Sequence, residues 1–103
     1  MDRHRVRVEA LRTAVFESDG EVERSVRLAA GRNEGVRDDL RAYVDKVARH
    51  AYTVTDEDVA ALKRRYTEDQ LFEITVSAAV GAGLKRLEAG LAALRTASGR
   101  AGR

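Results

Sequence analysis

Cysteine is absent from all 103 residues, which excludes disulfides, thiolate metal sites, thiol redox sensing and any cysteine nucleophile. Proline is absent as well, so the commonest helix breaker never interrupts the chain. Aromatic residues make up only 5%. Alanine, leucine, valine, arginine and glutamate dominate instead, a balance that favours an all-α protein. No run approaches the roughly 18 apolar residues of a membrane span, and the first residues, MDRHRVRVE, lack the apolar segment of a signal peptide. A cytoplasmic protein with no membrane partner is the resulting expectation.

An excess of charge of one sign is also missing. The chain holds 19 Lys+Arg and 17 Asp+Glu, and the difference lies in Arg100 and Arg103, so that residues 1–95 are balanced. A pI near 9.3 invites a nucleic-acid partner. A neutral body without a reading motif speaks against it, and Lys63-Arg64-Arg65 serves more simply at the negative end of a short helix.

What is present is a long uninterrupted segment, Thr67–Arg95, which reads as one helix roughly 42 Å long at ~1.5 Å per residue. It opens on Thr67-x-x-Gln70, a capping box. Val80, Gly83, Leu87, Leu91 and Leu94 then recur at a spacing of three to four residues, marking one face that needs cover. Ala78, Ala79, Gly81, Ala82 and Gly83 remove side-chain bulk mid-helix at about 1 kcal/mol per glycine, which points to close backbone approach.

Ahead of this segment, Val8, Leu11 and Val15 place a helix over 3–17. Ser18-Asp19-Gly20 breaks it, and Val22, Val26 and Ala29/Ala30 give a second helix ending at Gly31. A third is expected from about Val36 to Tyr52, with Asp38 and Asp39 in its first turn and Leu40, Val44, Val47 and Ala51 facing inward. Thr55-x-x-Asp58 caps a short fourth helix carrying Val59, Leu62 and Tyr66 on one side. The expected organisation is a single domain over 1–95, a small bundle of about five helices with a long C-terminal one, and a disordered basic tail over 96–103.

Candidate sites are few. His50, unlike His4 in the arginine-rich start of the chain, lies well inside a predicted helix, and imidazole has the reference pKa suited to proton transfer; a histidine at the edge of an apolar face is more simply bonded to a carbonyl or to water. Glu73, between Phe72 and Ile74, should meet an arginine, a hydroxyl or solvent if it is not to be stranded. Arg86 lies too far around the helix from Glu73 to bond it directly, which leaves open an ion pair with another helix or subunit. Thr75 and Ser77 should bond back to helix carbonyls. Two distant histidines without carboxylates at ligand spacing offer no metal site, and no cofactor is implied. Gly81-Ala82-Gly83 follows no strand and is therefore not a phosphate loop.

The segment from Tyr43 to Leu94 resembles the second half of the carboxymuconolactone decarboxylase and alkylhydroperoxidase D-like (AhpD-like) superfamily. The likeness rests on Val54–Leu62 (VTDEDVAAL), on Tyr66–Glu73 (YTEDQLFE) and on Arg86-Leu87 within the final helix; Arg65 departs from the glycine usual in the intervening turn. It implies an all-helical protein that assembles with copies of itself. The Cys-x-x-Cys peroxidase site of that superfamily has no counterpart here, so fold and assembly carry over and catalytic residues do not. Two readings follow: a binding or structural homo-oligomer without a thiol peroxidase site, packed through Ala79, Gly83, Leu87, Gly90 and Leu91; or a cofactor-free acid-base enzyme of decarboxylase or lactone type using His50 and Glu73.

Overall fold

The computed structural model describes the backbone of residues 3–101 and the side chains of residues 3–97. Five α-helices follow one another: α1 (Arg3–Phe16), α2 (Arg24–Arg32), α3 (Arg41–His50), α4 (Asp56–Lys63) and α5 (Glu68–Ala101), with a 3-10 turn over Ala51–Thr53. The expected all-α class is observed, and the described residues contain no strand. Both capping boxes form. Thr55 accepts from the Asp58 N–H at 3.2 Å while Asp58 accepts from the Thr55 N–H at 2.9 Å; Thr67 and Gln70 do the same at 3.1 and 2.9 Å. With α4 ending at Lys63 and the second box starting at Thr67, only a tight turn separates α4 from α5.

Several boundaries differ from expectation. Helix α2 ends at Arg32, not Gly31, because Asn33 takes the left-handed position (φ 53°) that closes the last turn. Helix α3 starts at Arg41 rather than near Val36, since Asp38 and Asp39 sit in the preceding turns and not in the first turn of the helix. Asp39 accepts instead from the Tyr66 hydroxyl at 2.8 Å, with Arg65 at 3.5 Å and Arg37 at 3.7 Å. Ala51, expected to face inward, is exposed. Helix α5 runs past Arg95 to Ala101, so the segment from 96 to 101 is helical rather than a coil; residues 102 and 103 lie outside the described residues. The Thr96 hydroxyl, returned to the Ala92 carbonyl at 3.0 Å, continues the same turn pattern.

The core is assembled on the first half of α5. Ile74 and Ala78 are fully buried with Leu71 against Leu40, Val44 and Val47 of the α3 region, Val22 and Ala30 of the α2 region, and Leu62 of α4. The α2–α5 crossing is the closest approach. A Cβ on Gly81 would run into the Gly31 backbone, and one on Gly31 would lie 2.6 Å from the Phe16 ring. The expected close approach therefore belongs to Gly81 and Gly31. Gly83 is different: nothing lies within 4 Å of where its Cβ would be.

Lys85 and Arg86 mark the end of the bundle. Lys85 donates to the Arg32 carbonyl at the end of α2, and Arg86 donates to the Ala48 carbonyl near the end of α3 at 2.6 Å, each placing a cation at the negative end of a helix dipole. Arg86 thus bonds another helix through a backbone carbonyl and not through a carboxylate. Beyond them α5 continues with only α1 beside it, joined by an exposed Arg12–Glu88 ion pair at 2.7 Å, and the molecule extends to 58 × 28 × 21 Å.

Two predictions follow from this packing. Gly81→Ala lowers the urea midpoint, because overpacking against backbone that cannot move aside costs about 1–3 kcal/mol and outweighs the ~1 kcal/mol of added helix propensity. At the α4–α5 turn, the hydrogen bond from Tyr66, helped by Arg37 and Arg65 and opposed by burial, holds the Asp39 carboxyl below its usual range. Since the folded value lies below an unfolded value of about 3.9, this contribution is complete above that pH and fades as pH falls through the folded value. Tyr66→Phe accordingly destabilises by about 1 kcal/mol at pH 7 and by less at pH 3, as read from urea midpoints at the two pH values.

Candidate functional site: the uncovered face of α5

Helix α5 has two faces along its first half. Leu71, Ile74, Ser77, Ala78, Gly81 and Leu84 turn toward the other helices and are buried. On the other side Phe72 is 69% exposed, Val76 is half-buried, and Ala79, Gly83, Leu87, Gly90 and Leu94 are exposed, with Leu94 at 61%. The steps between these residues are four, three, four, four, three and four, close to a whole number of helical turns, so they form one continuous strip. Val76 and Leu87, Ala79 and Gly90, and Gly83 and Leu94 are each separated by one such repeat of roughly 11 residues. The strip runs from the bundle out along the protruding half of the helix. Of the residues expected to pack, Ala79, Gly83, Leu87, Gly90 and Leu91 are all exposed in the single chain, and neither Gly83 nor Gly90 has an atom within 4 Å of its Cβ position.

Beside the strip, α1 and the distal part of α5 enclose an open groove of about 650 Å³. Val8, Leu87 and Leu91 form its apolar floor, and Arg5, Arg7, Arg12 and Arg95 edge it with Glu9 and Glu88. Leu11, at 46%, and Val6, at 50%, remain exposed on α1. The contact between α1 and distal α5 is thus thin, with its apolar residues only half covered.

The two candidate acid-base residues fall on different elements with different partners. Glu73 does not meet an arginine: its carboxylate accepts from the Glu21 N–H at 2.8 Å and the Val22 N–H at 3.2 Å. Gly20 lies so close to this carboxylate that a Cβ there would collide with it. Glu73 is therefore a strut that fixes the α1–α2 loop onto α5. His50 ends α3, exposed, with its ring edge-on to Tyr52 at 6.0 Å. Neither residue lines the α1–α5 groove. Thr75 and Ser77 bond back to the Leu71 and Glu73 carbonyls at 2.6 and 2.7 Å as expected, and Thr75 also meets the Tyr43 hydroxyl at 2.6 Å. Among the described residues no cluster of three or more His, Asp or Glu is arranged to hold a metal ion, and no helix is long and apolar enough to cross a membrane.

One polar group central to the loop was not singled out by sequence. Arg27, only 3% exposed, donates to the carbonyls of Val15 at 2.8 Å, Val22 at 3.1 Å and Ser18. It closes the end of α1 and the loop from inside, while Glu73 holds the same loop through its N–H groups. Its position three and four residues before Ala30 and Gly31, on the buried side of α2, was the available signal.

If Glu73 is a strut, Glu73→Ala lowers stability by about 1–2 kcal/mol, since two loop donors lose their acceptor, whereas His50→Ala, at an exposed position, stays within about 0.5 kcal/mol of wild type; thermal melts of the two variants make the comparison. Set against models of protein families, curated proteins and solved structures, the chain matches none of them.

Proposed function

We propose that this protein is a binding or structural module that works as a homo-oligomer, with the outer face of α5 as its contact surface and no thiol peroxidase chemistry. The observation that carries this reading is the strip from Phe72 to Leu94, apolar or small at each of its positions and exposed at all of them but the half-buried Val76. A soluble helix normally turns such a face toward a core, and large contiguous apolar surface marks an interaction site. Three further features agree with it. Chemistry-bearing side chains in the chain are engaged structurally, Glu73 and Arg27 in holding a loop and Lys85 and Arg86 in closing helix ends. The glycines at 83 and 90 lower helix stability by about 1 kcal/mol each without a packing partner inside the chain. A short capped helix, a tight turn and a long final helix also suit the AhpD-like relationship, in which self-assembly is the rule, and that relationship forms part of this proposal.

Light scattering after gel filtration tests it. Wild type at micromolar concentration elutes as a dimer or larger, and Leu94→Glu elutes as a monomer with an unchanged circular dichroism spectrum, because an exposed residue is being replaced. A monomeric wild type overturns the reading.

A further inference from the structure

We infer that the second copy lies antiparallel along α5, with the two helices crossing at Gly83. The inference rests on the self-association proposed above and adds its direction and register. It follows from the order of residue sizes in the strip. When one α5 is laid antiparallel on another about Gly83, Val76 faces Gly90 of the second copy, Ala79 faces Leu87, Phe72 faces Leu94, and Gly83 faces itself. Val76 and Leu87 each meet a small residue on either side of the axis, Phe72 and Leu94 form an apolar pair at each end, and the two-fold symmetry supplies each pair twice. At the axis two glycines with open space above them let the backbones approach more closely than the usual 8–10 Å between helices. A parallel alignment in register places Leu87 on Leu87 and Gly90 on Gly90, leaving bulk against bulk and gap against gap.

Charge selects the same direction. Glu73, Lys85 and Arg86 are taken up within the chain, which leaves α5 the exposed Asp69 near its start and the exposed Arg95 toward its far end. Antiparallel overlap about Gly83 brings Arg95 of the second copy level with Leu71, within one turn of the exposed Asp69. The helix dipoles oppose each other in this arrangement as well. Parallel overlap sets like charge on like charge, a penalty that works against that alternative.

The absence of native cysteine makes the geometry directly readable by disulfide trapping. Val76→Cys and Gly90→Cys are purified separately, mixed and oxidised, then resolved without reductant; Ala79→Cys with Leu87→Cys serves as a second pair should either variant fold poorly. A disulfide needs Cα atoms within about 7 Å. The expected result is a covalent dimer in each mixture and none when any variant is oxidised alone. Dimer formed by single variants alone, or no cross-link in mixtures that light scattering shows to be oligomeric, overturns the antiparallel register while leaving self-association standing. A monomeric mass for the unmodified protein overturns both.

Discussion

The contact on which the rest of the molecule depends is backbone against backbone, where Gly31 of α2 meets Gly81 of α5. With no side chain between them, the two helices come near enough for Phe16 to close over Gly31 and for Glu73, two turns earlier on α5, to reach the N–H groups of Glu21 and Val22. Arg27 completes the arrangement from the α2 side by gathering the carbonyls of Val15, Ser18 and Val22. The loop between α1 and α2 is therefore held by a carboxylate through its donors and by a guanidinium through its acceptors. Moving the α2–α5 crossing outward by the width of a methyl group would loosen both sets of bonds together, since a hydrogen bond weakens steeply once stretched or tilted.

Local chemistry was legible in the sequence and the phase of packing was not. The Thr55–Asp58 and Thr67–Gln70 boxes are formed within four residues, so their spacing alone locates two helix starts. The onset of α3 depended on more distant groups: Asp38 and Asp39 suit a helix N-terminus, but Tyr66, 27 positions further on, captures Asp39 and Arg41 pairs with Asp38. Gly81 and Gly83 look equivalent in sequence because both are small and both interrupt a helix. They stand about 200° apart around the axis, and only the side on which α2 docks decides that Gly81 is needed and Gly83 is free. Glu73 was recognisable as a carboxylate requiring partners, while the partners themselves, backbone donors of a distant loop, carry no side-chain signature.

The protruding half of α5 illustrates why a helix can outrun its own core. Nucleation is the costly step, and here the Thr67 cap and the buried turns through Leu84 have already met it. Each further residue needs only to propagate, and alanine, leucine, lysine and arginine beyond Leu84 are good helix formers. Continuation to Ala101 thus requires no tertiary contact, and a basic sequence that looks like a tail becomes a further turn of rod. Lys85 and Arg86 separate the two regimes by ending α2 and α3 at their carbonyls. Past that point the contacts with α1 are an exposed ion pair, worth at most about 1 kcal/mol, and a half-covered apolar seam.

A rod stable by propagation has no requirement for glycine, and this bears on what its outer face is for. Alanine at positions 83 and 90 would strengthen the helix by about 1 kcal/mol each and would meet no atom of the same chain. Leu94, 61% exposed and outside the groove against α1, would equally be better replaced by a charged residue if water were its permanent surroundings. Neither feature improves the monomer, and each acquires a physical rationale when another helix lies across the strip, because the apolar side chains then lose their contact with water and the glycines make room for them. The inner face of α5, centred on Gly81, assembles one bundle; the outer face, centred on Gly83, has the same composition logic directed outward, two residues along and almost half a turn away.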